Sequence, residues 1–119
     1  MKISENCMGF TVSTDNVECI AELSVIDVTM YTDLVGELPD GKWLFFNRLK
    51  VMDRLQGQGF GTACLKATLD YCDKMGYNIL CEVNPYGILD FDNLKRFYAK
   101  HGFVDTDCEN AMVYIANKR

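Results

Sequence analysis

Hydrophobic residues recur along this chain with two periods, and the changes from one to the other divide it into elements. Met8 to Ser13 and Val17 to Ile26 read as two strands joined by a polar turn at Thr14-Asp15-Asn16, a hairpin whose turn carries no glycine. In the second strand Cys19, Ala21, Leu23 and Val25 share one face, and Glu18, Ile20, Glu22, Ser24 and Ile26 the other. Periodicity is lost from Asp27 to Lys42, where Gly36, Pro39 and Gly41 mark a loop; its length makes it the first candidate for a substrate-contacting segment. Trp43 to Met52 begins apolar on both faces, which predicts a strand inside a sheet.

Beyond the glycines at 57, 59 and 61 the period lengthens. Phe60, Ala63, Cys64, Ala67, Tyr71, Cys72 and Met75 return every three or four residues, with Lys66, Asp70, Asp73 and Lys74 outside and Gly76 placed for a left-handed stop. Tyr77 to Asn84 is the next strand, so a right-handed strand, helix, strand unit with parallel neighbours is expected. Pro85-Tyr86-Gly87 breaks it. Asp90 or Asp92 caps a second helix with Phe91, Leu94, Phe97 and Tyr98 on its apolar face, and Gly102 ends it. Phe103-Val104 and Ala111 to Ala116 follow as an antiparallel pair. The expectation is an α/β fold, a mixed sheet with helices packed on it, in a single domain over residues 1–119.

Composition changes this picture little. With 49% apolar and 24% charged residues and two prolines the chain is globular. No apolar stretch has signal-peptide or membrane-spanning length, so a soluble, cytoplasmic protein without membrane contact is expected. The six cysteines are scattered without a CxxC pair, and a single histidine accompanies them; they read as reduced core thiols, and no metal site is expected. A net charge of −5 argues against a nucleic-acid surface and suits a cationic partner such as an amine.

The chemistry lies at Gln56-Gly57-Gln58-Gly59-Phe60-Gly61-Thr62, where a strand meets a helix N-terminus. Unpaired N–H groups and partial positive charge gather there, and glycines remove the side chains that would block an anion. A nucleoside-triphosphate loop would need lysine after its last glycine, but Gly61 leads to Thr62-Ala63. The dinucleotide pattern GxGxxG fails because Gly57 and Gly59 lead to Thr62.

Gln56, Gly59 and Gly61 match (Q/R)xxGxG(A/G), VMDRLQGQGFGTACL matches a strand-loop-helix block, and FYAKHGF matches a later YxKxGF block. In these the chain resembles the GNAT N-acetyltransferases from Trp43 to about Ile115, as a small bacterial or phage-type member with a trimmed N-terminal part and few or no first helices.

The resemblance implies acetyl-CoA as co-substrate, its pyrophosphate held by Gln56, Gly57, Gln58, Gly59, Phe60, Gly61 and Thr62. It implies pantetheine along Leu49 to Met52, with Leu49, Val51 and Met52 as contacts and the Val51 N–H polarising the thioester carbonyl. Tyr98 matches the general acid and Glu82, in Leu80-Cys81-Glu82-Val83, the general base, with Glu22 and Asp27 in reserve. A carboxylate buried in that apolar strand would be pushed toward a useful pKa. The asparagine common in relatives seven residues before the tyrosine is Phe91 here, with Asn93 as its nearest substitute, and His101 reads as a surface residue beside a helix end. The implied activity is direct acetyl transfer to an amine of a small molecule, a protein lysine or an N-terminus, by a monomer or homodimer. The alternative is a non-catalytic module of the same fold that binds CoA or a protein, including as an inhibitor of a host protein. Thr29 to Lys42 and Pro85 to Asp90 would form the acceptor pocket.

Overall fold

The computed structural model describes residues 1–84 and 90–117. The chain opens with β1 (Lys2–Asn6), β2 (Gly9–Ser13) and β3 (Cys19–Ile26), passes through a 3-10 turn (Val28–Tyr31) and a one-turn helix α1 (Thr32–Val35), and enters β4 (Lys42–Val51). Helix α2 (Phe60–Met75), β5 (Tyr77–Glu82), α3 (Phe91–Lys100), β6 (Val104–Asp105) and β7 (Ala111–Tyr114) follow. The strands form one seven-stranded sheet in the order β1-β2-β3-β4-β5-β7-β6. β4 and β5 are parallel and every other neighbouring pair is antiparallel. This is the mixed sheet expected from the sequence; the predicted break at Pro85-Tyr86-Gly87 lies outside the described residues.

Strand alternation sorts the apolar residues onto two faces. Leu44, Phe46, Ile79, Cys81 and Val83 join Leu65, Leu69 and Cys72 of α2 and Tyr98 of α3 in the larger core. Trp43, Leu80 and Val113 lie on the other face against Val35, with Val28, Tyr31 and Leu38 packed around them. The segment between β3 and β4 is therefore the cover of the second face and not a free loop. It is held there by Trp43, whose Nε1–H donates to the Pro39 carbonyl at 2.9 Å, and by Asp27, which caps the 3-10 turn by accepting from the Thr29 amide (3.1 Å) and hydroxyl (2.6 Å). Among the described residues before β4 the helical elements are the 3-10 turn and the single turn of α1, in keeping with the few or no first helices expected.

β1 is absent from the sequence reading because all five of its residues are exposed and KISEN carries no apolar alternation. Backbone pairing from Lys2↔Ser13 to Asn6↔Gly9 holds it, together with Glu5. The Glu5 carboxylate accepts from the Tyr71 hydroxyl and, at 2.6 Å, from the Tyr77 hydroxyl, with Lys42 Nζ at 3.9 Å. The same contact pushes Tyr71 and Tyr77 up to about 12 each. The hairpin turn is longer than predicted: Val17 adopts φ 56° within it, and Thr14 Oγ1 accepts the Glu18 amide at 2.8 Å.

Four of the six thiols, Cys19, Cys64, Cys72 and Cys81, are buried, Cys108 is half-buried and Cys7 is exposed; none is in a disulfide. Among the described residues no His/Cys/Asp/Glu group could hold a metal, and no helix is long and apolar enough to cross a membrane. The C-terminus is tied to α2 by Tyr114, fully buried, whose hydroxyl donates to Asp73 at 2.9 Å, and by the Asn117 amide, which donates to the same carboxylate at 3.0 Å.

Tyr114→Phe removes a hydrogen bond to a charged acceptor and is expected to cost roughly 1.5–3 kcal/mol in urea unfolding. Glu5 is held below its ordinary value of 4.5, first by the Tyr71 hydrogen bond and then by Tyr77. The native state thus binds fewer protons than the unfolded one in that range, so this contribution is present above 4.5 and lost as pH falls through the folded value. Glu5→Gln is expected to show a shallower fall in Tm than wild type on acidification below 4.5.

Candidate active site

The site begins with an irregularity in β4. Opposite the single step from Glu22 to Leu23, β4 takes two, from Arg48 to Phe46, so Asn47 is the additional residue of a β-bulge. The bulge shifts the phase of alternation: Leu44 and Phe46 face the helices before it, Leu49 and Val51 after it. It also marks where β4 leaves β5. Parallel pairing runs from Lys42↔Tyr77 to Phe46↔Cys81 and goes no further. The two strands part there, and a cleft of 470 Å³ opens between them.

Backbone alternation sets what β4 presents to the cleft. The Met52 amide donates to Glu18 on the β3 side at 2.9 Å, so Met52 and Lys50 turn their N–H and C=O groups toward β3. Leu49 and Val51 turn theirs the other way. Consistent with this, the Gln56 side-chain amide donates across the cleft wall to the Val51 carbonyl at 3.5 Å.

The glycine turn closes one end. Gly57 and Gly59 adopt φ 86° and 87°, and Gly59 is the residue that caps α2. The first intrahelical bond runs from the Ala63 amide to the Gly59 carbonyl at 3.0 Å, so the amides of Phe60, Gly61 and Thr62 precede the helical ladder and point out of the helix end. A Cβ added at Gly57 or Gly59 would meet nothing within 4 Å, and one at Gly61 would meet Val51 at 3.4 Å. The glycines therefore serve two purposes: 57 and 59 supply the left-handed backbone, and all three keep the helix end clear of side chains. An extended anion such as a pyrophosphate fits a cradle of this kind.

Tyr98 and Glu82 reach the opening from opposite faces of the sheet. Tyr98 is 7% exposed, its ring clamped at 5.2 Å from Phe103, 5.6 Å from Phe97 and 6.4 Å from Phe46. The Cys81 thiol belongs to the same core, and burial pushes it up to about 12. Glu82 alternates onto the other face with Leu80. The expected burial of this carboxylate does not occur: Glu82 is the exposed last residue of β5, where the sheet opens, and Asn84 Nδ2 donates to its Oε1.

Leu49, Val51, Gln56, Gly57, Gly59, Gly61 and Thr62 line the cleft with Tyr98 and Glu82. Met52, Gln58, Phe60 and Asn93 do not. Gln58 turns its amide back to the Leu55 carbonyl at 3.3 Å, and the Phe60 ring packs against the larger core. Asn93 is engaged in the first turn of α3, its amide capped by Asp90 at 2.9 Å and its Oδ1 accepting from Arg96 at 3.4 Å. Of the reserve bases, Glu22 accepts from Arg48 Nε at 2.6 Å and Asp27 is the cap described above, held below the usual carboxylate range by the Thr29 hydroxyl. His101 packs on Phe97 and sets Nδ1 at 2.8 Å from the Phe97 carbonyl, which assigns the proton to that nitrogen. Cleft residues that the sequence reading did not assign to the site are of two kinds. Leu94, Phe97 and Phe46 carry ordinary core patterns, and Asn47, Arg48, Cys81 and Asn84 owe their place to the bulge and the parting of the strands.

The fold, with a glycine-capped helix beneath a split parallel strand pair, is that of the acyl-CoA N-acyltransferases. The family model described as "Acetyltransferase (GNAT) family" matches residues 4–103, and the chain belongs to that family. Among solved structures it is similar to YhbS, a GNAT family N-acetyltransferase from Escherichia coli in complex with CoA, at 20% identity and TM-score 0.60, over 90% of this chain and 57% of that one. It is similar to the KacTA-DNA complex at 17% identity and TM-score 0.60, over 93% of this chain and 70% of that one. It is also similar to the anti-CRISPR protein AcrVA5 at 14% identity and TM-score 0.52, over 95% of this chain and 96% of that one. At these identities the likeness is one of fold. No curated protein matches the chain in sequence.

Gly59→Ala places a Cβ in open space but imposes a left-handed dihedral on alanine, so it is expected to cost about 1–2 kcal/mol of stability by strain alone, read from urea unfolding.

Proposed function

We propose that this protein transfers the acetyl group of acetyl-CoA directly to an amine, of a small molecule or of a protein lysine or N-terminus, within a ternary complex. The observation that carries this reading is the meeting of three features in one cleft: the glycine cradle, the outward-turned amides of Leu49 and Val51, and the Tyr98 hydroxyl.

Acetyl-CoA supplies an activated thioester when bound. The amides of Phe60, Gly61 and Thr62 at the start of α2 hold its pyrophosphate, and Leu49 and Val51 pair with the pantetheine amides as a neighbouring strand would. The Val51 N–H is the donor for the thioester carbonyl, where negative charge develops as the amine attacks. Tyr98 gives its proton to the departing sulfur. Glu82, directly or through water, takes the proton that the amine must lose; an acid and a base so placed are each worth on the order of 10²–10⁴ in rate. Their placement on opposite faces of the sheet lets the amine approach from one side and the thiol leave from the other without competing for the same group. Solvent exposure suits Glu82 to this task, because a base that must be regenerated each turnover needs a path for its proton.

Acceptor recognition falls to the cover segment between β3 and β4 and to the segment from Pro85 to Asp90, of which residues 85–89 lie outside the described residues. The DNA of the KacTA complex belongs to that assembly; the net charge of −5 here favours a cationic acceptor over a phosphate backbone.

Calorimetry is expected to show acetyl-CoA binding in wild type, Tyr98→Phe and Glu82→Gln alike. Wild type releases CoA thiol with a competent amine, and each variant loses roughly 100-fold or more in turnover. Absence of binding at millimolar acetyl-CoA overturns the reading, and binding with no acetyl transfer to any metabolite or protein of a host extract, followed by mass spectrometry with labelled acetyl-CoA, leaves a binding module.

A further inference from the structure

We infer that Asn84 is a positioning residue for Glu82: its side-chain amide holds one carboxylate oxygen and leaves the other for the incoming amine. The inference rests on the reading of Glu82 as general base.

The two residues stand on either side of Val83, and the fold turns that spacing into a shared face. Val83 is 1% exposed in the larger core, and its amide donates to the Asn110 carbonyl at 2.7 Å, so extended backbone runs on past the last β5 pair, Glu82↔Ala111. With Val83 turned inward, its two neighbours project together onto the opposite face. Both line the cleft. Packing does not fix Glu82 there. It is exposed, and a glutamate side chain with several rotatable bonds samples many rotamers at such a place unless a polar partner selects one.

Asn84 is that partner: its Nδ2 donates to Glu82 Oε1. The direction of the bond follows from the chemistry, because the carboxylate form of a base offers only acceptor oxygens and the nitrogen end of the amide must face it. Among the described residues Oε2 has no hydrogen-bond partner, which leaves it as the oxygen that takes the proton. A neutral amide also suits the task, since it orients a carboxylate while withdrawing less of its basicity than a lysine or arginine would. No proton passes to Asn84 at any stage: the proton lost by the amine goes to Oε2 and from there to solvent. Asn47 lines the cleft as well, but its Nδ2 donates to Ser24 Oγ on β3, which separates an asparagine that ties strands together from one that touches the proposed base.

Two measurements test this. In the proton–nitrogen correlation spectrum, the side-chain amide signal of Asn84, identified by its loss in Asn84→Leu, is expected to shift in Glu82→Ala. With acetyl-CoA and a mixture of spermidine and lysine-bearing peptides as acceptor probe, Asn84→Leu, which keeps the bulk and removes the donor, is expected to lower kcat roughly 10-fold with KM for acetyl-CoA unchanged, since a misdirected base affects the chemical step and not binding. Asn84→Gln, which keeps an amide, recovers part of that loss, and Asn84→Leu adds nothing in a Glu82→Gln background. An amide signal that does not move, or an Asn84→Leu variant with full kcat beside an impaired Glu82→Gln, overturns the inference and leaves the proposed catalysis standing. Unaltered turnover in Glu82→Gln overturns the base role itself and the positioning role with it, even where the amide signal shows the bond. Acetyl-CoA binding by wild type without transfer to any component of the mixture overturns both roles as well.

Discussion

Two parallel strands that separate leave backbone N–H and C=O groups facing each other across a gap, and such groups cannot be buried without partners except at a cost of a few kcal/mol each. In this protein the separation begins after Phe46↔Cys81, and its position decides the rest of the site. The Asn47 bulge bends β4 away while its other edge stays paired with β3, so the sheet remains intact on one side and opens on the other. The gap is then wide enough for an extended, amide-bearing chain, which can satisfy the exposed groups as a strand would. The same parting leaves Glu82 at a free strand end and brings Cys81 into view of the cleft. The groove, and the acid and base proposed for it, thus all trace to one break in strand pairing.

The glycine turn trades stability for access. Gly57 and Gly59 occupy left-handed backbone with open space around them, so neither is required by crowding within the protein. The conformational entropy lost by ordering them is returned only through what the turn exposes, the first amides of α2. The compensating ties lie at the opposite edges of the fold, in the Glu5 contacts that fasten β1 and in the Asp73 contacts that fasten the C-terminus.

Local features were legible in the sequence and distant pairings were not. Helix α2 and its glycine start follow from spacing within a few turns, and Gly76 does adopt the left-handed stop, at φ 77°. Tyr98 was legible through its YAKHGF setting. The bulge at Asn47 was not, because it has neither glycine nor proline and arises from the register of β3 against β4. β1 was hidden because an edge strand held by backbone pairing and one carboxylate needs no hydrophobic pattern. The segment after β3 looked like a loop because its apolar residues, Val28, Tyr31, Val35 and Leu38, follow no single period, yet they converge on Trp43 in three dimensions. Glu82 was recognised as unusual in an apolar strand, but its exposure depends on where β5 stops.

The charged ties of α2 all sit near its far end, where Tyr71 meets Glu5 and Asp73 meets Tyr114 and Asn117. Its near half is held by packing instead: Cys64, Leu65 and Thr68 are fully buried, and Gly61 lies close enough to Val51 that a Cβ there would meet it at 3.4 Å. The turn thus stands on a helix gripped along its length, so the order of its first amides is set when the chain folds and not when a ligand arrives.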